Sequence, residues 1–532
     1  MIKDGKIWVG TTEDGRQISM LPRMANRHGL VAGATGTGKT VTLKVLAESF
    51  SEMGVPVFMA DVKGDIASIM AAGTDSEDMQ ARIARFGLAE EGFSYQGYPV
   101  TLWDIYGEKG IQLRTTISEM GPLLLARILG LNELQSDVLA IVFKIADDNG
   151  LFLYDTKDLK SMLNYVNTES KTFEAEYGRM SSATIGAITR AVVALEVAGG
   201  DRFFGEPGLN ILDWLAIGEG GKGMINILDS SSLINSGILY STFLLWFLSE
   251  LFETLPEVGD LAKPKMVFFF DEAHLLFKDT SKTLLDKIEQ VVKLVRSKGV
   301  GIYFCTQNPK DIPDGVLSQL GNKVEHGLHA YSPADQRAVK AAADAFRANP
   351  AFNTYETILS LGTGEAVVSF LGEDGIPGIC EKVSILPPKS SFGSITDDER
   401  EQAVKGSLLY SKYANAVDPD SAYEMLARLD EQKAAALQQE QQAREEAKAQ
   451  ELADKQAARE QAAAEREEAR RKEQEEKDKK RVVKSVASTV IGSIGREAGK
   501  AVGKTFGTTG KTVGGNVGAS LGRGLLNTLF KI

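Results

Sequence analysis

An eight-residue segment near the amino terminus has the residue types of a loop that binds phosphate. It fits the pattern G-x-x-x-x-G-K-S/T at every fixed position and consists of Gly33, Ala34, Thr35, Gly36, Thr37, Gly38, Lys39 and Thr40. Glycines allow backbone N–H groups to turn inward around an anion, and a following helix offers its free N–H groups to the same anion. We therefore expect this loop to bind ATP, with Lys39 on the β- and γ-phosphates and the Thr40 hydroxyl on Mg²⁺.

Two adjacent acidic residues, Asp271 and Glu272, follow an apolar run, Lys265–Phe270, that is typical of a buried strand. A phosphate loop needs a carboxylate on a neighbouring strand to hold magnesium, and we assign Asp271 to this role. Glu272 beside it can accept a proton from the attacking water, so the pair predicts hydrolysis of ATP. The alternative is an acidic turn that only ends a buried strand.

The letters Asp271-Glu272-Ala273-His274 also match a DEAH-box helicase, but the rest of the sequence does not favour that interpretation. Such a helicase would carry a Ser-Ala-Thr motif after these residues, whereas Ser182-Ala183-Thr184 comes before them. No paired-arginine motif of the QRxGR kind follows either. We therefore expect His274 to support the site or the core rather than to couple hydrolysis to unwinding.

Two polar residues flank the ends of a further apolar run, Gly299–Thr306. Gln307 follows it directly, where a side chain at a strand tip can sense the γ-phosphate or orient water. Arg296 precedes it and, if exposed at a subunit edge, could supply positive charge to the ATP of a neighbouring subunit, as arginine fingers do. From spacing alone, an ordinary surface arginine is the alternative.

The elements that must position these residues form an α/β pattern. Apolar strand-like runs occur at Gly29–Ala32, Val55–Ala60, Gly223–Leu228, Lys265–Phe270, Gly299–Thr306, Lys323–Leu328 and Glu365–Leu371. Because helical segments separate them, they predict a mainly parallel sheet covered on both faces. Residues 112–214 are mostly helical by pattern and are expected to form an insertion between early and late strands.

The carboxyl-terminal third has a different composition. We expect the globular domain to cover residues 1–390 and a linker to cover 391–419. Residues 420–480 lack Gly and Pro and are rich in Ala, Glu, Gln, Lys and Arg, which predicts a long solvated helix on the order of 100 Å. A strong heptad coiled coil is not expected, because the leucines stop at Leu452.

The last segment, residues 481–532, is basic and rich in glycine. Its glycines recur at four-residue spacing, at Gly495, Gly499, Gly503 and Gly507 and again at Gly510, Gly514, Gly518 and Gly522. On a helix this spacing forms a smooth stripe that suits close association, and the basic residues suit an anionic lipid surface or nucleic acid. Peripheral membrane contact, self-association, DNA contact and a flexible solubilising tail all stay open.

Bulk properties limit the compartment and the partners. The two cysteines cannot form a disulfide framework, the amino terminus lacks the apolar region of a secretory signal, and Gly237–Phe252 is too short to span a bilayer. We expect that stretch to be a buried core helix and the protein to be cytoplasmic, with or without membrane association. The net charge of −12 argues against DNA coating the outer surface but permits DNA in an inner channel.

The order of these motifs resembles the HerA/FtsK group of hexameric ATPases. The shared order is the phosphate loop, Asp61–Asp65, the Asp-Glu pair, Arg-x-x-Gly and Thr-Gln-x-Pro. Two further sequence motifs, Ala25–Gly29 and Phe203–Pro207, are similar to those of a bacterial branch of HerA-like proteins. The resemblance covers about residues 1–390 together with a similar basic tail.

This resemblance implies a RecA-like core, a homo-hexameric ring with ATP bound between subunits, and Arg296 acting in trans. The substrate it implies is double-stranded DNA moved through a central channel. HerA proteins proper carry a β-barrel before the phosphate loop; only 32 residues precede Gly33 here, so we expect that barrel to be missing. A nuclease partnership therefore does not follow from the resemblance.

Three functions fit the sequence. The favoured one is an ATP-hydrolysing ring motor that acts as a DNA translocase or helicase-like protein. The second is an ATPase that assembles or moves protein at a membrane, with the tail as anchor. The third is a slow nucleotide switch with a scaffolding role. Stimulation of ATP hydrolysis by duplex DNA separates the first from the others, and liposome binding through the tail separates the second.

Overall fold

The computed structural model describes residues 1–233, 237–259, 261–277 and 282–483. The described residues fall into two units, Met1–Met425 and a second that begins at Leu426. All of the predicted site residues belong to the first unit, which is built on one large sheet.

Within the described residues the sheet has 13 strands. In chain order they are β1 Ile2–Lys3, β2 Lys6–Thr11, β3 Gln17–Met20, β4 Gly29–Ala32, β5 Val57–Asp61, β6 Val100–Asp104, β7 Ile111–Gln112, β8 Ile225–Asp229, β9 Met266–Phe270, β10 Val300–Thr306, β11 Asn322–His326, β12 Glu365–Ser369 and β13 Glu381–Ile385. Their spatial order is β1-β2-β13-β12-β11-β4-β10-β9-β5-β8-β6-β7, and β3 pairs with β2.

The centre of the sheet is parallel, and one edge is antiparallel. Strands β11, β4, β10, β9, β5, β8, β6 and β7 pair in parallel, whereas β12, β13 and β2 add to the β11 side in antiparallel fashion. The central strands are buried along their full length because helices cover both faces. The predicted α/β class with a mainly parallel sheet is confirmed.

The helices of the described residues mostly connect these strands. They are α1 Lys39–Glu52, α2 Glu77–Arg85, α3 Ile117–Ile128, α4 Glu133–Asp148, α5 Thr156–Thr168, α6 Ser170–Tyr177, α7 Ser182–Leu195, α8 Asp201–Phe203, α9 Gly237–Thr254, α10 His274–Phe277, α11 Lys282–Val295, α12 Asp314–Leu317, α13 Pro333–Asp344, α14 Thr354–Ser360, α15 Asp397–Gly406, α16 Tyr410–Tyr413 and α17 Ala422–Val483.

The strand order brings the predicted chemistry to one edge of the sheet. The phosphate-loop strand β4 and the acid-bearing strand β9 both pair in parallel with β10, which lies between them. Parallel strands end at the same edge, so the residues after β4, β9 and β10 meet there. This is the RecA-like arrangement that the resemblance implies.

Between β7 and β8 the chain is helical. Helices α3 to α8 run from Ile117 to Phe203, inside the predicted helical block, and α3, α4 and α5 each begin with a capping box. The stretch Ser182–Phe203 is long and apolar enough to cross a bilayer by length and composition alone, and 28% of its most apolar 18-residue window is buried in the structure. Helices in globular cores meet the same criterion.

Helix α9 contains the most apolar stretch of the sequence. Its Leu239, Phe243, Leu244 and Phe247 side chains are completely buried, which agrees with the predicted core helix. Rings from α9 pack against those of the neighbouring strands; Phe247, for example, lies 5.0 Å from Phe268 of β9 between ring centroids. This packing fixes β9 and, with it, the position of the acidic pair.

The long carboxyl-terminal helix is present. Helix α17 has 62 residues, which corresponds to about 90 Å at ~1.5 Å per residue. Ion pairs at i,i+4 spacing line its exposed surface, such as Arg444–Glu440 and Lys455–Glu451. The predicted tail, 481–532, falls outside the described residues from 484 onward.

Candidate functional site

The phosphate loop connects β4 to α1 through backbone conformations that favour glycine. Gly33, Gly36 and Gly38 have positive φ angles of 148°, 80° and 110°. A Cβ atom at Gly33 would lie 2.5 Å from Cβ of His326, so only glycine fits there. Because α1 begins directly at Lys39, its first N–H groups face the loop and can bind an anion.

The Lys39 side chain folds over the loop and is almost completely buried. Its ammonium donates to the carbonyl oxygens of Gly33 at 2.7 Å and Ala34 at 3.0 Å. These contacts keep a positive charge at the loop, where it would be available to phosphate oxygens.

His326, the last residue of β11, stabilises the phosphate loop. Its Nδ1–H donates to the Glu365 carbonyl oxygen at 2.9 Å, which leaves Nε2 to accept from the Thr42 hydroxyl at 2.8 Å. Burial lowers the pKa of His326 to about 4, so the imidazole is neutral and this pattern is maintained at neutral pH. His326 therefore joins β11 and β12 to the helix that carries Lys39.

Two backbone hydrogen bonds hold the phosphate loop against the turns next to β11 and β12. The Ala34 amide donates to the Gly327 carbonyl oxygen at 2.8 Å, and the Gly364 amide donates to the Thr37 carbonyl oxygen at 2.9 Å. The turns that follow β11 and precede β12 are thereby attached to the phosphate loop.

The acidic pair lies at the same edge, two strands away. Asp271 and Glu272 follow β9, and both side chains are buried. Glu272 has a positive φ of 46°, which is uncommon for a residue other than glycine and marks a specially held conformation. The structure thus places both carboxylates at the same edge of the sheet as the phosphate loop.

Two side chains bond to the Glu272 carboxylate, and a third lies close to it. Lys63 forms an ion pair with Oε1 at 2.6 Å, and Nε2 of Gln307 lies 3.3 Å from Oε1 and 3.2 Å from Oε2. Nδ1 of His274 lies 3.3 Å from Oε2. His274 is therefore a supporting residue of the site, one of the two roles expected from the sequence.

The two carboxylates differ in proton affinity. Burial raises the pKa of Asp271, and the nearby Glu272 charge raises it further, whereas Lys63 opposes the shift. Burial would also raise the pKa of Glu272, but the hydrogen bonds and charge of Lys63, together with Gln307, bring it below its ordinary value. Glu272 is therefore ionised at neutral pH, as a general base must be.

The residues present fit a divalent cation. Oδ2 of Asp271 is buried and has no hydrogen-bond partner among the described residues, so an anionic oxygen is left for a ligand. Carboxylate and hydroxyl oxygens are the donors that Mg²⁺ prefers, and Thr40 provides the hydroxyl at the start of α1.

Arg296 lies at the other end of β10 from Gln307. It opens a short 3₁₀ turn, Arg296–Lys298, and its side chain is exposed. Since β10 has seven residues, about 20 Å of strand separates Arg296 from the end that carries Gln307. Arg296 is therefore not brought together with the other predicted site residues of its own chain.

His28 links β10 to the helix that precedes Arg296. The residue has a φ of 58°, accepts a hydrogen bond from the Ile302 amide at Nδ1 (3.0 Å), and donates from Nε2 to the Val292 carbonyl oxygen (2.8 Å). Burial lowers the pKa of His28 to about 4, so the ring stays neutral. It connects β4, β10 and the last turns of α11.

Sequence reasoning missed the roles of Lys63, His326 and His28. Lys63 and His28 stand inside two motifs that carry the family resemblance, Asp61–Asp65 and Ala25–Gly29, and these motifs were the available signal. His326 had a weaker signal, namely a histidine at the end of an otherwise buried strand.

Comparisons with known proteins identify the family of this chain. A family model described as Helicase HerA-like C-terminal matches residues 6–512. The "DNA double-strand break repair helicase HerA" of Sulfurisphaera tokodaii is 24% identical over 64% of this chain and 62% of its own length, and that of Sulfolobus acidocaldarius is 22% identical over the same shares. The chain thus spans less than two thirds of these relatives.

Among solved structures, the plasmid coupling protein TrwB in complex with ADP and Mg²⁺ is similar with a TM-score of 0.46 and 16% identity. The match covers 71% of this chain and 89% of that chain. Because the family model spans nearly all of the sequence, including the phosphate loop, the acidic pair and Gln307, the chain belongs to the family described as Helicase HerA-like C-terminal.

Proposed function

We propose that the protein is an ATP-hydrolysing ring motor that translocates along double-stranded DNA. The observation that carries the proposal is the meeting of Lys39, Glu272 and Gln307 at one edge of the sheet, with Glu272 hydrogen-bonded to Gln307. A phosphate-binding cation, an ionised base and a polar residue beside it are the parts that hydrolysis of a phosphoanhydride needs.

The roles follow from the positions of the side chains. The loop Gly33–Thr40 would bind the triphosphate of ATP, with Lys39 moving from its carbonyl contacts onto the phosphate oxygens. Thr40 and Asp271 would hold Mg²⁺, which neutralises phosphate charge when bound. Glu272 would accept the proton of the attacking water, and Gln307 would orient that water.

A ring of subunits, most simply a hexamer, completes the site. Arg296 is exposed at the far end of β10 and cannot reach the ATP of its own chain. In a closed ring with head-to-tail contacts, one face of each subunit meets the opposite face of the next. Arg296 would then act on the ATP bound by its neighbour.

Duplex DNA is the substrate that the curated relatives favour, because both are described as DNA repair helicases. The net charge of −12 is compatible with DNA only where basic groups are gathered locally, as in the channel of a ring. Such a motor would act in the cytoplasm, where duplex DNA is accessible.

The ATPase rate with and without linear duplex DNA tests this function. We expect DNA to raise kcat at least several-fold in the wild-type protein, and we expect this increase to fall as salt rises because phosphate contacts release counterions. Lys39→Ala is the control that excludes contaminating ATPases. A wild-type rate that DNA does not change would refute the DNA motor and leave the membrane ATPase or the nucleotide switch.

We further propose the domain division expected from the sequence: an ATPase domain of residues 1–390 with its helical insertion at 112–214, a linker at 391–419, a long charged helix at 420–480 and an associating tail at 481–532. The linker contains the short helices α15 and α16 and belongs to the first unit, Met1–Met425, so it is a folded connection. Peripheral membrane contact through the tail stays a prediction. Truncation after Lys480, followed by co-flotation with anionic liposomes and particle sizing, tests it: unchanged behaviour in both assays would make the tail a passive extension.

A further inference from the structure

An aromatic pair follows β11, the strand that pairs with the phosphate-loop strand β4, and has no place in the proposed hydrolysis. His329 and Tyr331 follow β11, and their rings stack with centroids 5.4 Å apart and an interplanar angle of 30°. Tyr331 is 89% exposed, which is more than almost any other large apolar or aromatic side chain of the described chain. An exposed ring backed by a second ring is a suitable surface for stacking a flat ligand.

The direction in which a nucleotide must lie follows from the strand order. The groups expected at the γ-phosphate, Glu272 and Gln307, follow β9 and β10 on one side of β4. The triphosphate binds in the loop above β4 itself. Its nucleoside end therefore points to the other side of β4, where the neighbouring strand is β11.

The chain after β11 is attached to the phosphate loop and leads directly to the aromatic pair. Gly327, the first residue after β11, accepts the hydrogen bond from the Ala34 amide at 2.8 Å. Tyr331 comes four residues later, so its Cα lies at most about 14 Å from that of Gly327. The flexible reach of a ribose and base bridges a gap of this order.

We infer that Tyr331, backed by His329, is the stacking platform for the purine base of the bound nucleotide. This inference rests on the proposed function, because it presumes that the loop binds a nucleoside triphosphate. Stacking on one exposed ring recognises the flat face of the base and not its hydrogen-bonding edge. The site therefore favours purines over the smaller pyrimidines and discriminates weakly between ATP and GTP.

Binding of ATP and of inorganic tripolyphosphate, measured by calorimetry on full-length protein, tests this site. Tripolyphosphate keeps the contacts of the phosphate loop and lacks the base. We expect Tyr331→Ala to weaken ATP binding by about 5- to 100-fold, the range that loss of one base–aromatic stack gives. Tripolyphosphate affinity should stay within twofold of wild type. Tyr331→Phe should bind ATP like wild type.

A matched control is Tyr423→Ala. It removes an exposed tyrosine at the start of α17, far from Tyr331 in the sequence. It should change neither affinity. As an independent measurement, 2-azido-ATP carries its photoreactive group on the base, and ultraviolet labelling should place it on the tryptic peptide 324–337, which contains Tyr331.

The outcomes distinguish failure of the base site from failure of the proposed function. Equal ATP affinity of wild type and Tyr331→Ala, or photolabel confined to other peptides, would overturn the base site and leave the ATPase intact. If the wild-type protein bound neither ATP nor tripolyphosphate, the proposed function would fail and the base site with it.

Discussion

The ammonium group of Lys63 lies 2.6 Å from Oε1 of Glu272, so the loop after β5 is joined by an ion pair to the proposed catalytic base. Gln307 and His274 contact the same carboxylate. Lys63 itself is 39% exposed, so the pair can open to solvent without disturbing the core. In this arrangement the oxygens of Glu272 are engaged, and one contact must break before a water can be activated.

We predict that Lys63→Met raises the DNA-independent ATPase rate by about tenfold. A hydrogen bond to a charged group contributes about 1.5–3 kcal/mol, and each 1.36 kcal/mol of barrier corresponds to about a factor of ten in rate. Lys63→Arg keeps the ion pair and should keep the low rate. Steady-state turnover without DNA is the measurement. A Met variant that is no faster than the Arg variant would show that Lys63 does not restrain Glu272.

We predict that Lys39→Ala and Glu272→Gln separate binding from hydrolysis. Lys39→Ala removes the charge held at the loop and should abolish tight ATP binding. Glu272→Gln preserves shape and the contact with Gln307 but cannot accept a proton, so it should bind ATP normally and hydrolyse it at least about 100-fold more slowly. Fluorescent-nucleotide titration and phosphate release measure the two properties. Normal turnover in Glu272→Gln would refute the base assignment.

Arg296 should act across a subunit interface. Arg296→Ala and Glu272→Gln should each be inactive alone, because one removes the charge supplied to a neighbour and the other removes the base. Mixed rings of the two variants contain some interfaces with both groups intact and should recover part of the wild-type rate. Mass spectrometry of the mixed assembly confirms that the subunits have exchanged. Proven exchange without recovered activity would argue against action in trans.

Glu325, beside the phosphate loop on β11, should make the protein less stable as pH rises. Its side chain is completely buried, and burial raises its pKa to about 8, with Lys323 and Lys39 opposing the shift. The folded state therefore holds this proton more tightly than the unfolded state. The stabilisation is complete below the ordinary value of 4.5 and is lost as pH rises through about 8.

Glu325→Gln cannot titrate, so its free energy of unfolding relative to wild type should increase between pH 5 and pH 8.5, by about 4 kcal/mol at most. Urea unfolding at these two pH values measures the difference. Glu13→Gln, at an exposed position, is the control for the effect of a Glu-to-Gln substitution as such. A Glu325→Gln difference that does not change with pH would contradict the prediction.

The sequence alone was sufficient to predict those elements whose own residues show a clear local pattern. The strand before the phosphate loop was predicted at Gly29–Ala32 and is observed there, and the apolar run before Asp271 was predicted within one residue of β9. Glycines at fixed positions and continuous apolar runs have one dominant explanation each, so a single sequence suffices to interpret them.

Contacts between residues far apart in the sequence could not be predicted from such local patterns. The contact between Lys63 and Glu272 joins residues more than 200 positions apart, and only the order β9-β5 makes them neighbours. Several short strands, among them Val100–Asp104, Ile111–Gln112 and Glu381–Ile385, were not predicted, because their short mixed patterns do not stand out locally. Such strands are recognised by the neighbours they pair with.

The strand β4 is only four residues long, and its two flanking residues belong to different active sites of the proposed ring. Gly33 opens the loop that would bind the subunit's own ATP, whereas His28 bonds to α11, the helix before Arg296, which would face the next subunit. A buried strand of this length behaves as a stiff rod. In the proposed ring, a shift of the phosphate loop at one end of β4 would move His28 at the other end, and this coupling would let neighbouring subunits hydrolyse ATP in turn.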